Sequence, residues 1–250
     1  MAKTIKKDFL KERLLDENTP FAIKESFNHL RTNIMYTTKD NTKCPVYAIT
    51  SSGESAGKST IIANLAISFA QVPKKVLLID ADMRCPVQNQ IFRFPKEAIG
   101  LSELLSGIET DPKKAIRQSD IPSLDILGSG HIPPNPSELI LSDNFRKYID
   151  MWKEEYDVIF IDCPPIGIVA DSVALKDLVT GYIFVIRSNH SDARKINHAI
   201  ESMENVGAKV LGVVLNSVNL KGSSNSYYYD GNYRKSHYAK SGSKKHRKTK

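Results

Sequence analysis

The amino-acid sequence predicts an α/β fold built on a doubly wound, mostly parallel sheet. Short runs of aliphatic and β-branched residues are continuously apolar, as expected for strands that are covered on both faces. Longer amphipathic stretches separate these runs, and alternation of this kind is typical of right-handed βαβ units in one open sheet. The chain has 250 residues, which suits a single domain with a substantial core.

Six strands and three intervening helices are predicted from this pattern. The strands cover residues 46–50, 76–80, 124–127, 158–162, 182–187 and 210–216. The helices cover residues 58–71, 136–155 and 191–206. Each of these helices directly follows or precedes a predicted strand, so it can cover one face of the sheet.

A separate helix is predicted over residues 21–36, before the first strand. It carries an apolar stripe at helical spacing, formed by Ile23, Phe27, Leu30 and Ile34. Four other residues of the helix are expected to point away from that stripe: Glu25, Asn28, Arg31 and Thr32.

The last 30 residues, 221–250, are predicted to form a disordered tail. They are rich in Ser, Gly, Lys and Tyr and cannot bury enough apolar surface to fold. Nine basic residues and one acidic residue give the tail a charge of +8, so the net +7 leaves −1 for the other 220 residues. Such a tail suits acidic lipid at a membrane surface, nucleic acid or a phosphopolymer, or it is simply solubilising. The predicted organisation is an N-terminal arm over residues 1–19, a domain over residues 20–220 and this tail.

The remaining bulk features indicate a cytoplasmic protein. Cys44, Cys85 and Cys163 lie far apart, so neither a disulfide framework nor a zinc site is predicted. No apolar run approaches the roughly 18–20 residues that cross a bilayer, and the polar start gives no secretory signal.

A phosphate-binding motif follows the first predicted strand and opens an amphipathic helix. It consists of Gly53, Glu54, Ser55, Ala56, Gly57, Lys58, Ser59 and Thr60. This is the context of a P-loop, in which glycines let successive N–H groups face phosphate oxygens at a helix N-terminus. Lys58, expected at an exposed turn, is predicted to contact the β- and γ-phosphates, and the Ser59 hydroxyl is predicted to ligate Mg²⁺. The sequence therefore predicts a P-loop nucleotidase fold that binds ATP and Mg²⁺. Ser52 replaces the first glycine of the full pattern, which is a mild departure.

Three aspartates end two of the predicted strands. Asp80 ends the second strand and Asp82 lies two residues beyond it, while Asp162 ends the fourth strand. Ligands in such sheets bind beyond the carboxyl ends of the strands, so these carboxylates should converge on Lys58 and Ser59. Asp82 and Asp162 are predicted to hold the metal, and Asp80 is the first choice for the base that activates the acceptor, with Asp82 second.

Together these motifs resemble the bacterial tyrosine autokinases of capsule and exopolysaccharide synthesis, closest to the stand-alone cytoplasmic kind of Gram-positive bacteria. The resemblance covers about residues 20–230. It is carried by the phosphate motif, the acidic run 80–84, Asp162, the stretch 133–139 and a tyrosine cluster near the end. It implies ATP-dependent autophosphorylation in trans, with Lys58 and the three aspartates as catalytic residues. It also implies that Asn216, at the end of the last predicted strand, touches the adenine.

The resemblance further implies acceptor sites, an assembly and partners. The acceptors are Tyr227, Tyr228, Tyr229, Tyr233 and Tyr238. Ring assembly is implied for the helix over residues 20–37 through Glu25, Arg31 and Thr32, although Asn28 stands where the family has an arginine. The implied partners are a transmembrane activator that regulates polysaccharide chain length and a tyrosine phosphatase, which places the chain at the inner face of the cell membrane.

Two other classes fit part of the sequence. ATPases of the partitioning and positioning class share the fold but carry an extra lysine at the start of the loop, where this chain has Gly53. A nucleic-acid-binding module could use the basic tail and stack its tyrosines on bases. The near-neutral body offers no basic face, so no specific nucleic-acid binding is expected.

Overall fold

The computed structural model describes residues 14–38, 43–95, 98–166 and 171–218. The strands are β1 Val46–Ser51, β2 Val76–Asp80, β3 Ile116–Gln118, β4 Leu124–Leu127, β5 Val158–Asp162, β6 Gly181–Arg187 and β7 Val210–Asn216. The helices are α1 Phe21–Thr37, α2 Lys58–Ala70, α3 Gln88–Ile91, α4 Leu101–Ser106, α5 Pro112–Ala115, α6 Pro136–Ile140, α7 Asp143–Glu155, α8 Asp171–Ala174 and α9 Ala193–Asn205. The first compact unit of the chain, Met1–Asn216, contains the whole sheet.

The seven strands of the described residues form one sheet in the order β3-β4-β2-β5-β1-β6-β7. Every neighbouring pair is parallel except β3 and β4, which are antiparallel. The predicted fold class and the six predicted strands are therefore confirmed. The short edge strand β3 was not predicted, because its three residues are only partly covered and show no apolar run.

The centre of the sheet is buried on both faces, which explains the continuous apolar runs there, whereas Val213 and Leu215 of the edge strand β7 are exposed. Every residue of β1, β2 and β5 is buried. One face packs on α7 around Phe145 and Trp152. The other packs on α2, where the rings of Phe69 and Phe160 lie edge to face with centroids 5.2 Å apart.

The helix predicted over residues 136–155 is two helices, α6 and α7. The break falls at residues 141–142, where the Ser142 hydroxyl accepts a hydrogen bond from the Phe145 N–H at 3.4 Å. Serine competes for backbone partners inside a helix and favours the N-cap, so it begins a new helix here.

The stripe predicted on α1 is only partly correct. Ile34 is buried, and Phe27 and Leu30 pack on the α2 side of the core, but Ile23 is 47% exposed. Arg31, predicted to point away from the stripe, instead reaches α2, where its guanidinium donates to the Ser68 hydroxyl at 2.9 Å and to the Ser68 carbonyl. A long arginine stem can lie along apolar surface while its head finds polar partners, and this overrides the simple periodicity.

Much of the predicted arm, residues 1–13, and the whole predicted tail lie outside the described residues. Within the part of the chain that the structure describes, no helix has the length and apolar character needed to cross a membrane.

Candidate nucleotide and catalytic site

The carboxyl ends of β1, β2 and β5 meet at one edge of the sheet. Strand β5 lies between β2 and β1, and the three strands run parallel. Asp80 is the register partner of Asp162, which is also paired with Ile49 of β1. The phosphate loop, residues 52–57, leaves β1 at this same edge. The structure thus brings the predicted loop and the predicted carboxylates together.

The phosphate loop curls tightly between β1 and α2. The Ser51 hydroxyl donates to the Gly53 carbonyl at 2.6 Å, and the backbone is left-handed at Ser55 (φ 58°) and Gly57 (φ 92°). Of the other predicted loop residues, Glu54 is exposed, Ala56 is buried and Thr60 lies in the first turn of α2. Two left-handed residues in a short turn produce the concave backbone that an anion requires.

Donors from β6 and β7 hold two carbonyl groups of the loop. Arg187 donates to the Ser55 carbonyl at 3.1 Å, and the Asn216 amide donates to the Ala56 carbonyl at 2.9 Å. In a planar trans peptide the carbonyl and the next N–H point in opposite directions. The N–H groups of Ala56 and Gly57 therefore face away from these donors. Asn216 supports the loop in this way, and its predicted contact with adenine stays a prediction.

Alanine at position 57 is expected to destabilise the protein by about 1–3 kcal/mol. Gly57 has a φ of 92°, and an added Cβ would lie 2.2 Å from the Asn216 amide nitrogen that holds the loop. At Gly53 an added Cβ meets no atom within 4 Å, so Gly53→Ala is the matched control. Urea unfolding without nucleotide measures both variants, and equal midpoints would contradict this account of the loop.

Lys58 and Ser59 begin α2, directly behind the loop. No described side chain caps this helix and its first turn has no acidic residue, so its N-terminal N–H groups are available to an anion. Lys58 was expected at an exposed turn, but its side chain is buried, with 7% exposed. A buried cation is favourable only where an opposite charge lies close. Asp162 supplies that charge, since the Lys58 ammonium favours the charged form of Asp162 and so lowers its pKa.

Asp80 is fully buried and its two oxygens accept three backbone hydrogen bonds. Oδ1 accepts from Asp82 N–H at 3.2 Å, and Oδ2 accepts from Val87 N–H at 3.0 Å and Gln88 N–H at 2.9 Å. Burial, and then the charge of Asp162, raise the pKa of Asp80 well above its usual range, although these N–H groups oppose the shift. Three of the roughly four acceptor sites of this carboxylate are therefore occupied by the chain, and the role of Asp80 as the base stays a prediction.

Asp82 and Asp162 are less fully satisfied by the protein. Asp82 is 6% exposed, and its Oδ1 accepts from Cys85 N–H at 3.1 Å. Burial raises the pKa of Asp162 to about 6, although the Lys58 ammonium and hydrogen bonding from Ser59 and Gln88 favour its charged form. Within the part of the chain that the structure describes, Asp162 Oδ1 is buried and has no hydrogen-bond partner.

The residues present fit a magnesium ion. An unpaired buried carboxylate oxygen on Asp162, beside the Ser59 hydroxyl, offers the oxygen ligands that Mg²⁺ prefers. Among the described residues no group of three or more His, Cys, Asp or Glu could hold a metal alone.

Sequence reasoning missed Gln88, at the start of α3. It is fully buried, and its amide nitrogen donates to Asp162 Oδ2 at 2.8 Å. A single glutamine eight positions after Asp80 matches no motif, so only its distance from the acidic run could have suggested it. A second contact ties the acidic run to the stretch 133–139, since Arg84 donates to the Ser137 hydroxyl at 3.1 Å.

The residues predicted for ring assembly make contacts within their own chain. Glu25 accepts from the Asn28 amide at 2.9 Å, and the Thr32 hydroxyl donates to the Asn28 carbonyl at 2.8 Å. Arg31 binds Ser68 as described above, so its role between subunits stays a prediction. The predicted acceptors, Tyr227, Tyr228, Tyr229, Tyr233 and Tyr238, lie outside the described residues.

Comparison with known proteins gives consistent similarities. A family model described as an AAA domain matches residues 46–209. The chain is 36% identical to the putative tyrosine-protein kinase CapB of Staphylococcus aureus, over 92% of this chain and 99% of that protein. It is 40% identical to the tyrosine-protein kinase CpsD of Streptococcus agalactiae, over 78% of this chain and 82% of that protein. The solved kinase domain of the Escherichia coli tyrosine kinase ETK superimposes with a TM-score of 0.76 at 29% identity, covering 80% of this chain and 78% of that chain.

Proposed function

Because this chain belongs to the family of bacterial tyrosine-protein kinases and is a protein-tyrosine kinase, we propose that it autophosphorylates in trans, with Mg-ATP as donor. The acceptors are the tail tyrosines of a second copy. The observation that carries the proposal is the convergence of Lys58, Ser59 and the aspartates beside the phosphate loop. Five of the ten tyrosines lie within 12 positions of a tail that can supply acceptors.

Each group at the site has a role in the transfer. The N–H groups of Ala56 and Gly57 bind phosphate oxygens, and Lys58 places its charge on the β- and γ-phosphates. Ser59 and Asp162 hold Mg²⁺, which when bound offsets the negative charge of the phosphates. The tyrosine oxygen forms a bond to the γ-phosphorus as the bond to the bridging oxygen breaks, and ADP leaves.

Asp82 accepts the proton of the attacking tyrosine in this proposal, in place of Asp80. A tyrosine hydroxyl has a pKa near 10, so it needs a base at neutral pH. Asp82 is the more exposed of the two aspartates and accepts a single backbone N–H, whereas Asp80 accepts three. Asp80 then organises the turn that carries Asp82.

A groove beside the phosphate loop offers a route for the acceptor. It has a volume of about 900 Å³ and lies between the start of the loop and one face of α9. Its lining includes Gly53, Glu54, Ile166, His198 and Ser202. A groove of this size accommodates several residues of extended chain, so the acceptor segment can lie along it with a tyrosine next to the loop.

Mixing two copies, neither of which carries both a working site and the tail acceptors, tests the proposal. One copy carries phenylalanine at all five tail tyrosines and keeps the site, and the other carries Lys58→Met and keeps the tail. Phosphotyrosine is expected on the Lys58→Met copy only when both are present with Mg-ATP. Ser202→Trp narrows the groove and is placed in the copy with the intact site. It should lower the phosphotyrosine signal about tenfold, and a tenfold change corresponds to about 1.4 kcal/mol.

Two controls keep this experiment decisive. Glu201→Trp lies on the same helix, is exposed and does not line the groove, so it should have little effect. Ser202→Trp in the acceptor copy should also have little effect. If the mixture stays unphosphorylated while the unmodified chain phosphorylates itself, the reaction is in cis and the trans proposal fails.

Regulation through partners extends the proposal. A membrane-embedded activator recruits the kinase to the inner face of the membrane, a tyrosine phosphatase resets it, and the cycle controls capsular or exopolysaccharide synthesis. Oligomerisation through α1 brings tail and site together. Co-purification of the full chain with membranes is the measurement, and recovery only from the soluble fraction of its native cell would oppose the activator.

Phosphorylation is expected to weaken the attraction of the tail for anionic membranes. The unmodified tail carries +8, worth about 1 kcal/mol per basic residue near the lipid. Each phosphate adds about −1.5 to −2, so five would offset that charge. Sedimentation with phosphatidylserine vesicles compares the phosphorylated chain with the chain carrying five phenylalanines, and equal binding would remove this switch.

A further inference from the structure

Gln88 joins three parts of the candidate site. It is fully buried, and its amide nitrogen donates to Asp162 Oδ2 at 2.8 Å and to the Ser59 carbonyl at 3.2 Å. Its backbone N–H donates to Asp80 Oδ2 at 2.9 Å. One residue of α3 thereby contacts the ends of β2 and β5 and the first turn of α2.

The surroundings fix the orientation of the Gln88 amide. Both groups that face its nitrogen, Asp162 Oδ2 and the Ser59 carbonyl, are acceptors only. A flipped amide would set oxygen against oxygen at both contacts and lose two hydrogen bonds. The amide oxygen, Oε1, must therefore point elsewhere.

That oxygen is buried and has no hydrogen-bond partner among the described residues, and the same is true of Asp162 Oδ1. An unsatisfied buried polar atom costs about 1–3 kcal/mol, so native proteins keep few of them without a reason. Here the two unpaired acceptors belong to two side chains that are hydrogen-bonded to each other. Two neighbouring acceptors without donors suit a cation together with the water molecules that it carries.

We propose that Gln88 is a positioning residue for the metal ion of this kinase. Its amide nitrogen donates a hydrogen bond to Asp162 Oδ2, which orients the carboxylate so that Oδ1 can bind Mg²⁺. Its Oε1 accepts a hydrogen bond from a water molecule that is bound to the metal. The inference rests on the proposed function, since the metal belongs to Mg-ATP. Outer-shell partners of metal ligands typically change metal affinity by about 10–100-fold when they are removed.

The variant Gln88→Met tests this in the full chain, because methionine has a similar length but neither donates nor accepts strongly at this position. Fluorescent ADP is titrated in EDTA and again in Mg²⁺. The affinity in EDTA should match that of the unmodified chain, and the gain in affinity caused by Mg²⁺ should fall about tenfold. The Mg²⁺ concentration for half-maximal autophosphorylation should rise by a similar factor, with the rate largely recovered at saturating Mg²⁺.

Two further variants complete the design. Gln90→Met lies on the same short helix and is exposed, so it should change neither titration. Gln88→Asn keeps the amide but is one methylene too short to reach both acceptors, so it should shift Mg²⁺ dependence in the same direction. Gln88→Asn replaces Gln88→Met as the test if the Gln88→Met chain does not fold.

Two results would overturn the proposal. One is unchanged Mg²⁺ dependence in both Gln88 variants. The other is an equal loss of ADP affinity in EDTA and in Mg²⁺, which would mean that Gln88 only supports the fold. Failure of the kinase proposal would be visible separately, as absence of phosphotyrosine on the unmodified chain, while the ADP titrations would still report on Gln88.

Discussion

Lys58→Met is expected to lower autophosphorylation by at least about a hundredfold. Lys58 begins α2 directly behind the phosphate loop, and its charge acts on Asp162 within the same buried cluster. Methionine preserves the length and most of the packing of the side chain but removes the charge that the β- and γ-phosphates require. The measurement is phosphotyrosine formed per chain over time, with full-length protein and Mg-ATP.

The control for this prediction is an exposed lysine far from the loop in sequence. Lys176 is exposed and pairs with Asp177, so Lys176→Met should leave the rate unchanged. A thermal melt must show that Lys58→Met still unfolds cooperatively, because the lysine is buried. Substantial phosphotyrosine on a folded Lys58→Met chain would remove the phosphate loop from the mechanism.

Asp82→Asn is expected to bind Mg-ATP nearly normally and to transfer phosphate about 10²–10⁴-fold more slowly, because the variant lacks the base. Asp80→Asn should fail in a different way. An asparagine amide would set an NH₂ group against one of the backbone N–H groups that now donate to Asp80, and the buried mismatch costs about 1–3 kcal/mol. Nucleotide binding is therefore expected to weaken in Asp80→Asn, because the turn that carries Asp82 and Gln88 loosens.

Single-turnover transfer and fluorescent-nucleotide titration, run on both variants, separate these outcomes. An Asp80→Asn chain that binds Mg-ATP normally yet transfers slowly, beside an Asp82→Asn chain that transfers well, would return the role of base to Asp80. The comparison is sharp because both substitutions remove one carboxylate from the same short run, so any general effect of charge is shared.

Much of this architecture follows from local sequence patterns. Strands β1, β2 and β5 are buried on every residue because helices cover both faces of the sheet there, and their apolar pattern is visible without a structure. The phosphate loop and the aspartates at strand ends were also predictable from the sequence. A parallel sheet brings the carboxyl ends of its strands together, so these groups were expected at one edge. The antiparallel strand β3 was not predictable, because it has only three residues, none of them fully buried, and they show no apolar run.

What the sequence could not reveal depends on contacts between distant segments. The burial of Lys58 and the turn of Arg31 toward Ser68 are set by packing partners that no local period encodes. The saturation of Asp80 depends on backbone N–H groups at positions 82, 87 and 88, whose direction is fixed only once the loop is folded. The role of Gln88 cannot be predicted from local sequence either, because it depends on hydrogen bonds from one residue to three elements that are distant in the chain.

The strand order also has a consequence for synthesis of the protein. Strand β1 is made early, yet its neighbours β5 and β6 are made more than a hundred residues later. The two donors that hold the loop carbonyls are also late, since Arg187 ends β6 and Asn216 ends β7. A chain emerging from the ribosome therefore holds both edges of β1 unpaired, and pairing so remote in sequence is slow to form. The anchor from Asn216 can form only after residue 216 has emerged, so a chain completes the support of its own phosphate loop when synthesis has already reached the tail.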